Sequence, residues 1–179
     1  MTADRHHPRL RPRAGLTLVE AVLSMLVLAV LSTAALAAIS QSRRARHAVD
    51  EQSMGESLAR SLMSEITALP YMEASSTTIG VDAGESQGSR STLDDVDDYN
   101  LFEESPCIMP DGKAIDGTDN WRRSVVVSWV TTTANTTATG SDTGVKRIWV
   151  IVRHNNVAVA RLTALRAKAW DDTLAAGGL

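Results

Sequence analysis

The fold of this chain is decided by residues 15–39, GLTLVEAVLSMLVLAVLSTAALAAI. At about 1.5 Å per residue, a helix over residues 16–39 is roughly 36 Å long, which exceeds a hydrocarbon core about 30 Å thick. Glu20 is the only charged residue in it. A carboxylate at the edge of a membrane-length segment is expensive to bury and normally persists because it has a partner or a function. The sequence therefore predicts a membrane-spanning helix in which Glu20 has a specific role.

The junction at residues 15–20, GLTLVE, follows a basic stretch and precedes the apolar run. In this combination it resembles the N-terminal processing and methylation signal of type IV prepilins and type II secretion pseudopilins. The resemblance implies that a prepilin peptidase cuts between Gly15 and Leu16, that Leu16 is then methylated, and that Glu20 guides assembly. Leu16 stands where the family most often has phenylalanine, and no proline interrupts residues 16–69, which favours a minor or pseudopilin-like subunit.

The resemblance also implies a location and a set of partners. It divides the chain into a leader at 1–15, a transmembrane and assembly helix at 16–40 and a periplasmic domain at 41–179. The N-terminus is expected in the cytoplasm, with the chain held in the inner membrane and later drawn into a periplasmic filament. The expected partners are other pilin or pseudopilin subunits, the prepilin peptidase and methyltransferase, and the inner-membrane assembly platform.

Three other interpretations of the same residues stay open at this point. Thr17 and Glu20 fit a capping box, which would satisfy amide donors at the helix start without excluding a role in assembly. The basic leader, the apolar run and the small-x-small site Ala35-Leu36-Ala37 also fit a secretory signal peptide, although Glu20 inside the apolar run argues against it. An ordinary single-span anchor is the third interpretation.

Composition and charge limit the function further. The formal net charge of the chain is −3, and because the leader carries a net charge of +3, cleavage after Gly15 changes it to −6. An acidic exported domain gives no reason to expect nucleic-acid binding. Cys107 is the only cysteine, so an intrachain disulfide is impossible. Enzyme motifs for phosphate binding, zinc binding or a nucleophile elbow are absent from the sequence, which favours a protein without catalytic activity.

Beyond the membrane segment the pattern predicts an α+β domain. Leu58, Leu62, Ile66 and Leu69 recur at helical spacing before Pro70, which predicts a helix over 41–69 with one buried stripe. The polar stretch at 73–119 lies in a loop region, 70–120, that we expect on the outside of the domain. Three β-branched runs then predict an antiparallel sheet within 121–168: Ser124–Val130, Ile148–Val152 and Val157–Thr163, the last two joined as a hairpin through Asn155 and Asn156.

Helix first and sheet afterwards is also the order of the pilin fold. The chain is therefore predicted to have a long N-terminal helix, transmembrane in its first half, packed on a C-terminal antiparallel sheet. Three further stretches look like pseudopilin-like proteins of type II secretion: 58–71, LARSLMSEITALPY; 93–99, LDDVDDY; and 121–123, WRR.

An acidic cluster within 93–99 is the one candidate ligand site. Its carboxylates are the hard oxygen ligands that Ca²⁺ prefers, although the spacing does not fit an EF-hand loop. A solvated acidic loop is the favoured alternative. The residues concerned are Asp94, Asp95, Asp97 and Asp98.

The function predicted from the sequence is a minor pilin or pseudopilin, a structural subunit of a type II secretion or type IV pilus-like filament, with no cofactor beyond a possible Ca²⁺. The alternative is a monomeric, membrane-anchored binding domain in the periplasm. The two differ in processing, because a plain anchor would keep residues 1–15.

Overall fold

A computed structural model describes residue 15 and residues 17–73, 77–82, 84–88, 90–134 and 136–177. The chain divides into two compact units, one ending at Arg46 and the other beginning at His47. Helix α1 covers Leu18–Ala68, and the boundary between the units falls inside it. Residues 1–14 of the predicted leader, and Leu16, lie outside the described residues.

In the part that the structure describes, the first unit is mainly the N-terminal part of α1, which exposes large apolar side chains on all sides from Leu18 to Ile39. This part is long and apolar enough to cross a membrane, and none of it is buried within the protein. Two of its hydroxyls are satisfied internally: Ser24 donates to the Glu20 carbonyl at 2.8 Å and Thr33 to the Val30 carbonyl at 2.9 Å. Since hydrocarbon offers no hydrogen-bond partners, internal satisfaction of this kind is what a bilayer requires.

In the second unit, the C-terminal part of α1 packs on a four-stranded antiparallel sheet. Two single-turn 3₁₀ helices, Arg90–Thr92 and Asp97–Tyr99, lie in the predicted loop region. This architecture confirms the predicted α+β, pilin-like fold. The strands are β1 (Glu103–Glu104), β2 (Trp121–Trp129), β3 (Val145–His154) and β4 (Val157–Ala167), adjacent in that order and followed by helix α2 (Lys168–Gly177).

The hairpin between β3 and β4 confirms the predicted turn. Asn155 and Asn156 have φ angles of 49° and 65°, so both adopt the left-handed conformation that a two-residue hairpin turn needs. Asparagine tolerates this conformation better than most residues because its short polar side chain can hydrogen-bond locally. The strands pair through Val157 opposite His154 and continue along the length of β4.

The core lies between α1 and the inner face of the sheet. The predicted stripe of α1 is confirmed, with Leu58, Leu62 and Ile66 buried and Leu69 partly buried against the core. Successive inward-facing residues of β2 and β3 meet it, since alternate positions of a strand point to one face. These residues are Trp121, Val125, Val127, Ile148, Val150 and Val152.

The expectation that residues 73–119 lie on the outside of the domain is wrong for their central part. Leu93, Val96, Tyr99, Phe102 and Cys107 are all buried in the main core. These apolar residues are far apart in the sequence and the residues between them are mostly polar. The average composition of the segment therefore does not show that they are buried. Each still removes apolar surface from water, which stabilises the fold in proportion to the area buried.

Gly55 allows α1 to approach β4 closely. A Cβ atom at this position would lie 2.8 Å from Cγ2 of Val159 and 3.3 Å from Cβ of Ala160. Glycine in a helix interior is less favourable than alanine by about 1 kcal/mol. The close contact with β4 explains why the helix carries it.

We expect Gly55→Leu to lower the free energy of unfolding by about 1–3 kcal/mol, because the added side chain must displace Val159 or the helix. Ser57→Leu on the exposed side of the same helix is the matched control and should change it by less than about 0.5 kcal/mol. Urea denaturation of the full chain in mild detergent measures both. Tryptophan fluorescence reports on the second unit alone, since that unit contains Trp121, Trp129, Trp149 and Trp170. Equal stability of the two variants would contradict the close packing.

Candidate functional site

The N-terminal junction begins with an exposed Gly15 and a capped helix start. Oγ1 of Thr17 accepts a hydrogen bond from the backbone N–H of Glu20 at 3.3 Å, and the Thr17 carbonyl accepts from the N–H of Ala21 at 3.1 Å. This is the threonine half of the capping box considered from the sequence. The predicted methylation site, Leu16, lies outside the described residues.

The side chain of Glu20 is exposed in the first turn of α1. Its carboxylate makes no hydrogen bond or ion pair with any residue that the structure describes, so the glutamate half of the capping box is not formed. The positive end of the helix dipole favours a carboxylate here by about 0.3–1 kcal/mol. That is small against the cost of burying a charge in a bilayer.

The acidic cluster is not the solvated loop that we favoured from the sequence. Asp95, Asp97 and Asp98 are at most 1% exposed, while Asp94 is exposed. Buried charges require partners, and Asp97 has one in Lys146, whose ammonium is fully buried with it. The same ammonium donates to the Tyr71 carbonyl at 2.5 Å.

The structure separates the four predicted ligands into two groups. Carboxylate oxygens of Asp94, Asp95 and Asp98 lie within 4.8 Å of one another, whereas Asp97 engages Lys146. Oδ2 of Asp98 accepts hydrogen bonds from the backbone N–H groups of Asp94 and Asp95 at 3.0 and 3.1 Å. This carboxylate therefore fixes the loop conformation as well as belonging to the cluster.

Asp95 connects the acidic loop to the segment that follows α1. Its Oδ2 accepts from the backbone N–H of Glu73 at 2.7 Å, and its Oδ1 accepts from the N–H of Asp97 at 2.8 Å. The backbone N–H of Val96 also donates to the Pro70 carbonyl at 3.1 Å. The segment after α1 and the acidic loop are thus held side by side.

Burial raises the pKa of two carboxyl groups in this cluster. It raises the pKa of Asp98 to about 7, with a further contribution from the adjacent carboxyl group of Glu85. Burial also raises the pKa of Asp97, an effect that the Lys146 ammonium opposes.

Sequence reasoning missed Lys146, Glu73 and Glu85. Lys146 had a local signal, because it occupies the same alternate positions of β3 as the buried residues Ile148 and Val150. Glu73 and Glu85 had none, since they reach the cluster from separate loop segments.

A second set of buried charges is fully paired. The guanidinium of Arg90 contacts Glu65 and Glu104, the latter at 3.3 Å, and Arg123 pairs with the same Glu104. The Tyr99 hydroxyl donates to Glu65 at 2.8 Å. The network joins α1, the loop and β2. Because two cations balance two carboxylates, it offers no unpaired charge to a ligand.

Cys107 does not have the properties of a nucleophile. Its side chain is completely buried, and burial raises the pKa of the thiol to about 11. Since the thiolate is the reactive form, this environment makes the cysteine inert at neutral pH.

We expect Arg123→Ala to lower the free energy of unfolding by about 3–5 kcal/mol, because it removes one of the two cations that pair with the buried carboxylate of Glu104. Arg122→Ala removes the neighbouring, half-exposed pair with Glu103 and should lower it by less than about 1 kcal/mol. Denaturation of both variants in mild detergent tests this. A loss below about 1 kcal/mol for Arg123→Ala would show that the network contributes no more than a surface pair.

Comparison with protein-family models, with curated proteins and with solved structures finds no match to this chain.

Proposed function

We propose that the chain is a minor pilin or pseudopilin, a non-enzymatic structural subunit of a type II secretion or type IV pilus-like filament. The observation that carries this proposal is the carboxylate of Glu20, which has no partner among the described residues and stands at the start of a helix exposed on all sides. The helix-on-sheet fold of the second unit is compatible with the same role. The family signal at residues 15–20 adds the expected processing by a prepilin peptidase and methyltransferase.

The apolar surface of α1 fits two successive environments. Residues 18–39 have no polar face, which is typical of a helix surrounded by lipid or by other apolar helices. We infer that the helix is first anchored in the inner membrane and later packs against the helices of neighbouring subunits in a filament core. The N-terminus is then cytoplasmic and the second unit periplasmic.

Glu20 would set the register of this packing. A uniformly apolar surface can slide with little change in energy, so it does not by itself fix the axial position of a subunit. Two unit charges 4 Å apart attract by about 4 kcal/mol at an effective dielectric constant of about 20, against about 1 kcal/mol in water. Pairing of Glu20 with the terminal amine of a neighbouring subunit therefore favours one register, and more strongly where water is excluded.

The first test concerns processing at Gly15. We expect the native chain to begin at Leu16, to carry an N-methyl group and to retain the apolar helix, because the cut precedes that helix. Intact-mass and N-terminal peptide analysis of protein from its native membrane measures this. Gly15→Leu should block the cut, whereas Leu16→Phe should preserve it. A chain that begins at residue 1 indicates the alternative, a plain membrane-anchored binding domain, and one that begins at residue 38 indicates a signal peptide.

A second test separates assembly from capping. Glu20→Val should leave membrane insertion intact and reduce co-purification with partner subunits by about tenfold or more, equivalent to at least about 1.4 kcal/mol of lost pairing energy. Thr17→Ala is the matched control, because it removes the observed capping bond and should cost about 0.5–2 kcal/mol of local helix stability while preserving assembly. Wild-type recovery of partners with Glu20→Val would contradict the proposed role of the carboxylate.

A further inference from the structure

The outer face of the sheet carries positive charge in an otherwise acidic part of the chain. Residues 47–179 contain 19 Asp and Glu against 11 Lys and Arg, a net charge of −8. Strands β2, β3 and β4 contain no carboxylate at all. Because alternate residues of a strand point to opposite faces, the positions that face away from α1 bring arginines of all three strands together. These are Arg122, Arg147, Arg153 and Arg161.

Trp149 lies between two of these arginines. The guanidinium carbon of Arg147 is 4.2 Å from the centroid of the indole ring, and that of Arg161 is 5.7 Å from it. Arg147 is also fixed by a hydrogen bond, since its Nη1 donates to the Thr136 carbonyl at 2.6 Å. A guanidinium that stacks on an aromatic ring keeps the N–H groups at its edge for a carboxylate. The ring therefore helps to present these arginines to an anionic partner.

Arg153 and Arg161 have no carboxylate partner within the described part of the chain. Arg161 is exposed and makes no hydrogen bond there, and Arg153 donates there only to the hydroxyl of Ser124, at 3.0 Å. Arg153 also lies directly opposite Arg122 in the pairing of β2 with β3. Like charges in opposite positions of a sheet repel each other, and only Arg122 has a counter-charge, in Glu103. An anionic partner on this face would relieve the repulsion.

A groove beside Trp149 adds apolar surface to the basic face. Leu165, which is 48% exposed, lies on its wall and leaves carbon atoms open to solvent. The groove has a volume of about 460 Å³, which is large enough to accept a side chain of a bound peptide. Its lining residues are Thr136, Arg147, Trp149, Thr163, Ala164 and Leu165.

We propose that the outer face of the sheet binds an acidic peptide segment of another protein. Carboxylates of the segment would pair with Arg153 and Arg161, and an apolar side chain between them would enter the groove beside Trp149. A short segment meets the basic face alone, because exposed charges farther apart than about 8–10 Å are largely screened at physiological salt. Nucleic acid and anionic bilayers extend beyond this face and are repelled by the acidic remainder of residues 47–179. The proposal does not depend on the role in a filament.

Fluorescence anisotropy of a labelled synthetic peptide tests the proposal on the full chain in mild detergent. The probe consists of aspartate and glutamate around one central leucine. It should bind saturably, and more weakly as salt is raised. Replacing its carboxylates by amides should weaken binding at least tenfold. Replacing the leucine by alanine should weaken it by about fourfold or more, the effect of burying one methylene group less.

The variant of the protein is the double substitution Arg153→Gln and Arg161→Gln. Glutamine can still donate to the hydroxyl of Ser124, and Arg161 is exposed, so the variant should fold. Its affinity for the acidic peptide should fall at least tenfold. The matched control, Arg60→Gln with Lys113→Gln, removes two exposed positive charges elsewhere on the second unit and should bind the peptide as the wild type does.

Three results with the peptide would overturn the proposal: no binding to the wild type, equal weakening in the control variant, or equal affinity for the amide peptide. Tighter binding of single-stranded DNA or of anionic lipid vesicles would overturn it as well, because each would assign the face to another class of ligand. Analytical ultracentrifugation of the chain alone examines the remaining occupant. Self-association that is lost in the Arg153→Gln and Arg161→Gln variant would assign the face to a second copy and would also overturn the proposal.

Discussion

Helix α1 carries two different surfaces, and the rest of the structure depends on that division. Its first part is apolar on every side, and its second part has a single buried stripe against the sheet. The first pattern is stable only where water is absent, and the second only where a sheet covers one face. Gly55 lies in the second part, where the helix approaches β4 closely.

The second unit holds its long loop to the core by charge as well as by apolar burial. Arg123 and Lys146 occupy inward-facing positions of β2 and β3, where apolar residues would be expected, and each meets a carboxylate from residues 97–104. Replacing such buried pairs by apolar residues often leaves the free energy of unfolding unchanged. We therefore infer that these pairs fix one position of the loop on the sheet and add little to overall stability. A double variant, Asp97→Asn with Lys146→Met, tests this role. It should stay folded, and the amides of the loop should lose their protection from hydrogen exchange.

The sequence predicted those features that depend on residues close together in the chain. The stripe of α1 followed from helical spacing, and the turn at Asn155 followed from the backbone preferences of asparagine. The pairing of Lys146 with Asp97, which are 49 residues apart, had no such pattern, although strand alternation already placed Lys146 on the inner face. The loop was misjudged because burial of its few apolar residues depends on contacts with distant strands, which composition does not report.

The central claim is that the start of α1 lies against another subunit, and proximity labelling of that position tests it most directly. Val19 is exposed next to Glu20, so a photo-crosslinking amino acid in its place samples the surroundings of the carboxylate with the charge intact. In the native membrane, the account predicts crosslinks to the N-terminal apolar helix of a second pilin-like subunit, identified by mass spectrometry of the joined peptides. Crosslinks to lipid alone, with the chain otherwise processed and stable, would contradict it.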